Sequence, residues 1–231
     1  MHVPDGFLDA TTSLATGAVA VAGVGLALRG ARKELDDRTA PMAGLVATFV
    51  FSTQMLNFPV AGGTSGHLLG GALAAILVGP WTAVLCVSVV LIVQALLFAD
   101  GGITALGTNI SLMAIVGVLA GWLVFRAVQA VLPKKLALVA PVASIAAFVS
   151  VPVTALAFVG LYGVGGTAPI ALDTLLTAML GWHTLIGIGE AVITGLVVGS
   201  VIAVRPDLVY GARRVLKSRE LEIRTAEGAA A

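Results

Sequence analysis

Three histidines stand out in this chain, and one of them, His2, sits beside the first amine of the sequence. The α-amine of Met1, the amide nitrogen of His2 and the His2 imidazole can close consecutive chelate rings around one metal ion. A further imidazole can then complete four nitrogens. Planar nitrogen coordination suits Ni(II) or Cu(II), which also stand high in the Irving–Williams order, whereas zinc prefers a tetrahedron. His67 is the best fourth donor, because it follows the run Gly62-Gly63-Thr64-Ser65-Gly66 on the same membrane face as the N-terminus. Spacing alone leaves another reading open, in which His2 is an incidental coil residue and His67 a polar group at a helix start. His183 reads as an interfacial residue rather than a ligand. The chelate requires a free amine. Residues 1–28 contain no Lys or Arg and carry Asp5 and Asp9, unlike the n-region of a secretory signal, and His2 is too large for the usual removal of Met1. Cys86 is the single cysteine, so any metal here is held by nitrogen or oxygen.

Of the 231 residues, 58% are hydrophobic and 11% charged, with a mean hydropathy of +1.05. Soluble domains run at about 45–50% apolar and about 25% charged, so the expectation is a membrane protein. Thirteen Lys and Arg against twelve Asp and Glu is too balanced for a nucleic-acid partner. A helix needs about 20 apolar residues to cross the hydrocarbon. Segments near 12–29, 41–58, 67–79, 82–99, 109–132, 135–162 and 184–204 meet or approach that length, which predicts an all-α bundle of about seven transmembrane helices over 1–204 and a short charged tail over 205–231. The third segment is short. The Gly-rich stretch 163–183 reads as a long loop with an interfacial helix. Gly66/Gly70, Gly117/Gly121 and Gly195/Gly199 fit close helix packing through small residues. No internal repeat of the kind found in many secondary transporters is evident.

Arg32, Lys33 and Arg38, then Lys134 and Lys135, then Arg205, Arg213, Arg214, Lys217, Arg219 and Arg224 fall in alternate connections and the tail; residues 1–11, 58–66, 100–108 and 163–183 contain no Lys or Arg. By the positive-inside rule the N-terminus lies outside and the C-terminus inside. The cluster Arg213, Arg214, Lys217 and Arg219 reads as an anchor for lipid headgroups.

Polar groups at membrane depth mark a site or pathway by default, and they are few: Gln54, Asn57, His67, Gln94, Asp100, Asn109, His183 and Glu190. Most lie toward the outer face. Asp100 reads as a loop or helix-end residue and Glu190 as paired inside the bundle with a group such as Thr184 or Gln94.

Three blocks then meet a known pattern: Met1-His2-Val3-Pro4-Asp5-Gly6-Phe7-Leu8, Gly62 to Gly70 with His67 inside it, and Leu97 to Asn109 with Asp100-Gly101-Gly102 inside it, joined by Gly187-Ile188-Gly189-Glu190-Ala191. Together they resemble the CbiM/NikM family, the substrate-binding membrane components of energy-coupling-factor ABC transporters for cobalt and nickel. The resemblance covers essentially the whole chain. It implies a seven-helix fold with the ion held by the Met1 amine, the His2 amide and imidazole, and the His67 imidazole, in agreement with the chelate reasoned from the residues. Asn57, Thr64, Ser65 and Asn109 are then candidates to orient the ligating imidazole, or merely to bond loop backbone.

Such a component is not an enzyme, and it takes Ni(II) or Co(II) as substrate with no other cofactor. No lysine follows a glycine, so a Walker A motif is absent. The resemblance implies partners: a coupling transmembrane component, two cytoplasmic ATPase subunits and a small accessory membrane subunit, which the short tail would leave separate. The expected location is the bacterial or archaeal cytoplasmic membrane. A photoreceptor or pump would want a Schiff-base lysine within 184–204, and a membrane metalloprotease would want His-Glu-x-x-His; the sequence has neither. A metal-ion channel, or another seven-helix protein without an ATPase partner, is the remaining alternative.

Overall fold

The computed structural model describes residues 1–36, 39–60 and 65–216. Among them the chain folds into seven helices and one two-residue β-pairing, Phe58–Pro59 with Ser65–Gly66. The helices are α1 (Ala10–Ala31), α2 (Ala40–Gln54), α3 (Gly71–Val78), α4 (Pro80–Leu97), α5 (Leu106–Val131), α6 (Leu136–Gly165) and α7 (Leu172–Val204). Five of them, α1 and α4 to α7, are long and apolar enough to cross a membrane.

The departures from a simple bundle have local causes. α3 has only eight residues, about 12 Å at 1.5 Å per residue, and all eight are buried. It is a central peg that α2, α4, α5, α6 and α7 enclose. Gly79, at φ 99°, turns the chain out of α3, and Pro80 opens α4 at a position where its missing N–H is not required. α5 is π-helical over Ile110–Gly117. There is no long loop over 163–183: α6 ends at Gly165 and α7 runs unbroken for 33 residues from Leu172, about 50 Å. The apolar face of Leu175, Met179 and His183 packs inward, and this burial, invisible to a local reading of a Gly-rich stretch, extends the helix.

Small residues set the closest approaches. A Cβ on Gly121 would lie 2.5 Å from that of Ala72, and one on Gly195 would lie 2.3 Å from Ser144 Oγ. α5 therefore lies directly on α3, and α7 on α6.

The molecule has two ends of opposite character. At one, Glu34 receives the Trp81 and Thr82 amides at 3.2 and 2.8 Å and the Thr82 hydroxyl at 2.9 Å, closing the α4 N-terminus. Every described Lys and Arg belongs to this end of the bundle. Residues 209–215 fold back here, with Val209, Ala212 and Val215 buried. Arg213 stacks over Tyr210 at 4.7 Å and its guanidinium reaches the Glu34 carbonyl at 3.5 Å. Arg213 is thus half-buried against the protein's own Tyr210 and Glu34, while Arg214 is exposed. Lys217, Arg219 and the rest of the expected tail lie outside the described residues. The other end gathers residues 1–9, 65–70, 98–109 and 165–171.

Candidate metal centre

The N-terminal segment is threaded into the second end of the bundle: Met1, His2 and Val3 are all buried. Three connections hold it. Asn109 receives the Val3 amide on Oδ1 at 2.8 Å and donates from Nδ2 to the Val3 carbonyl at 3.1 Å, and the Gly102 amide donates to that carbonyl at 2.9 Å. Asp5 accepts from the Thr104 amide at 2.7 Å and its hydroxyl at 2.5 Å. Phe7 packs on Phe158 and Tyr162, and beyond it Thr167 N–H donates to the Phe7 carbonyl and Asp9 N–H to the Gly165 carbonyl. Asp9 finally caps α1 through the Thr12 amide at 2.7 Å.

This threading stacks the His2 ring on His67, centroids 4.5 Å apart with planes at 21°. His67 Nδ1 lies 2.9 Å from the Leu68 carbonyl. A carbonyl only accepts, so Nδ1 bears the proton and Nε2 is left as a lone pair. That Nε2 is buried and has no hydrogen-bond partner. His2 Nδ1 lies 2.8 Å from Asp100 Oδ1, yet neither ring nitrogen of His2 has an aligned hydrogen-bond partner. Its amide donates to Ser65 Oγ at 3.3 Å. Burial lowers the pKa of the Met1 amine well below its ordinary value. It lowers His67 as well, helped by the positive charges of the amine and of His2. Burial also lowers His2, against the opposing pull of Asp100. All three groups are thus biased toward the unprotonated form that a metal requires.

The turn that presents His67 is fixed from beneath. Glu190 accepts the Leu69 and Gly70 amides at 2.7 and 2.9 Å, and Gln54 Nε2 donates to the Leu69 carbonyl at 2.7 Å. Glu190 therefore pairs with the backbone at the head of α3, not with Thr184 or Gln94. The carboxylate sits where the helix dipole and free amides favour an anion.

The expected orienting groups reach the site indirectly. Ser65 holds the His2 amide and Asn109 the Val3 backbone, while Asn57 donates to Asp100 Oδ2 at 3.2 Å. None touches an imidazole through these bonds. Thr64 lies outside the described residues. Two residues read otherwise from sequence prove to be part of the surroundings. Asp100 contacts His2. His183, expected at the interface, is fully buried, with Nδ1 on the Met179 carbonyl at 2.8 Å and Nε2 unpartnered. Neither was legible, because Asp100 depends on a tight turn and His183 on the early start of α7.

Among the described residues no three His, Cys, Asp or Glu side chains gather as a metal-holding cluster. Side chains alone would not complete a coordination sphere among these residues, and a metal bound here would need main-chain nitrogen as well. Beside two orphaned imidazole nitrogens lies a buried amine, and this donor set fits an ion that accepts nitrogen in a plane.

Comparison with known proteins agrees. Residues 2–208 match the family model described as CbiM, cobalt uptake substrate-specific transmembrane region. A protein of Haloquadratum walsbyi, named for metal transport, is 42% identical over 91% of this chain and 94% of its own length. The fused nickel transport protein NikMN of Rhodobacter capsulatus is 35% identical over 90% of this chain, which spans 64% of that relative. The crystal structure of a truncated transition metal transporter superposes with a TM-score of 0.82 at 32% identity, covering 88% of this chain and 99% of that one. With a family match over nearly its whole length and a solved relative of the same architecture, the chain belongs to the CbiM family of substrate-specific transmembrane proteins.

Proposed function

We propose that this chain is the substrate-binding component of an energy-coupling-factor transporter that imports Ni(II) or Co(II). The ion is held by the Met1 amine, the His2 amide nitrogen and Nδ1, and His67 Nε2. The observation that supports this most is the burial of Met1 with two stacked imidazoles whose outward nitrogens lack hydrogen-bond partners. A buried polar atom without a partner is costly, and a cation seated beside the two rings would give His67 Nε2 the partner it lacks and His2 Nδ1 a stronger one than Asp100. On binding, the His2 amide gives up its proton and its bond to Ser65, and His2 Nδ1 exchanges Asp100 for the ion.

Relatives named for cobalt and nickel transport support the choice of cargo. The binding end lacks Lys and Arg and so faces outward by the positive-inside rule, with the basic end in the cytoplasm. Energy comes from separate partners, a coupling membrane component and two ATPase subunits, with a small accessory membrane subunit as a further companion. The test is the register of the chelate. One Ala inserted between Met1 and His2 retains every side chain but separates amine from imidazole by an extra peptide. Equilibrium dialysis of the purified protein against Ni(II) and Co(II) should then show high-affinity binding lost. Retention of binding would contradict the proposal.

A further inference from the structure

The connection from α4 to α5 is built to present one carboxylate. Ala99 adopts φ 52°, a left-handed conformation that L side chains rarely take, and Gly101 follows at φ 96°. Between them Asp100 donates its amide to the Gln94 carbonyl at 3.1 Å and accepts from Asn57 on Oδ2 at 3.2 Å. Its other oxygen points at His2 Nδ1, 2.8 Å away but unaligned for a hydrogen bond. The Asp100 side chain is 14% exposed against 3% for His2, so Asp100 is the outer of the two.

Four acidic residues, Asp5, Asp9 and Asp100 in the connections and Asp173 in the first turn of α7, and no Lys or Arg lie along this end. Asp5 clasps Thr104, Asp9 caps α1 and Asp173 bonds Thr174 at the start of α7. Of the four, Asp100 is the one set against the chelate.

We infer that Asp100 is the entry ligand for the transported divalent cation, the carboxylate that meets the hydrated ion at the mouth and passes it to the nitrogens behind. This rests on the N-terminal chelate proposed above and adds the step that precedes it. A carboxylate is a natural first partner for an ion still carrying water, and a mouth of one charge sign raises the arrival rate of the opposite ion by about 10-fold to 1,000-fold at low salt. The ion meets Oδ1 first, takes the place of its 2.8 Å contact with His2 Nδ1, and the carboxylate hands over as each nitrogen binds.

The test is the association rate of Ni(II) with the purified full chain, by stopped flow across a series of ionic strengths. Asp100→Asn keeps the size of the side chain and removes its charge. It should associate about tenfold more slowly at low salt, and with a shallower salt dependence than the native protein. Asp100→Glu, which restores the charge, should recover most of the rate and its salt dependence; this also separates lost charge from lost fold. Equal rates and salt slopes for the native protein and Asp100→Asn would overturn the entry role alone. Undiminished binding by amine-blocked protein would overturn the chelate, and the entry role with it.

Discussion

His67 offers the sharpest contrast at the scale of single residues, because its imidazole makes one backbone hydrogen bond through Nδ1 and none through Nε2. Removing it therefore costs the fold little beyond its packing but removes a donor outright. His67→Ala should lose most Ni(II) and Co(II) binding in equilibrium dialysis while keeping its helical circular dichroism; unchanged affinity would exclude it as a ligand. The protons matter in the same way. Amine, amide and imidazole must all be unprotonated to bind, so affinity falls as pH falls. Burial lowers the pKa of the Met1 amine and of both imidazoles, so protons compete for these nitrogens only at a lower pH than they would for the free groups. Titrations from about pH 8 to pH 5 should show affinity decreasing monotonically, and a rise toward acid would contradict the ligand set. Met1, His2 and His67 were legible from sequence as candidates, since residue type and the adjacency of amine and imidazole suggest a chelate, and the fold brings the three together. Asp100 and His183 were not: their contacts are made by a left-handed turn and by three extra helical turns, neither of which leaves a pattern in residue types.

Elements enter through the threading of residues 1–9 and the footing of the His67 turn. A Cβ on Gly102 would lie 2.4 Å from the Asp5 amide nitrogen, so Gly102→Ala should push the N-terminal segment off its seat. We expect weakened metal binding and easier proteolysis of residues 1–9 without unfolding of the bundle; a protein with native affinity would show the seat to be irrelevant. Glu190 belongs to the same scale, since it ties α7 to the head of α3 directly behind His67. Glu190→Gln keeps one acceptor where two amides need one each, and groups that orient ligands are worth about 10-fold to 100-fold in metal affinity. A loss of that size by dialysis is the expected outcome, and no loss would reduce Glu190 to packing. Runs of apolar residues marked the helical segments well and their lengths poorly. The segment at 67–79 is an extended approach followed by the short helix α3, because Gly79 and Pro80 end it. The last helix starts twelve residues before the expected 184, because Leu175 and Met179 bury against neighbours distant in sequence.

The whole molecule is polarised. Met1, His2, His67 and the acidic residues around them occupy one end; Glu34, Trp81 and the basic residues occupy the other. This polarity was the most legible property of all, since Lys and Arg positions need no knowledge of packing. In a Cys86→Ala background, cysteine at the exposed positions Asp9 and Asp173 should react with an impermeant reagent from outside intact cells, whereas cysteine at Lys134 should react only after the membrane is opened. The reverse pattern would invert the proposed orientation.

All of these expectations converge on the Met1 amine, which no side-chain substitution can test. The most direct measurement compares the purified protein bearing a free N-terminus with the same protein acetylated at that amine, each titrated with Ni(II) and followed by its absorption spectrum. Acetylation leaves every side chain in place and removes one nitrogen donor. The free protein should bind with the spectrum of planar four-nitrogen Ni(II), and the acetylated protein should lose both that spectrum and its high affinity. Tight binding by the acetylated protein with the same planar spectrum would contradict the N-terminal chelate.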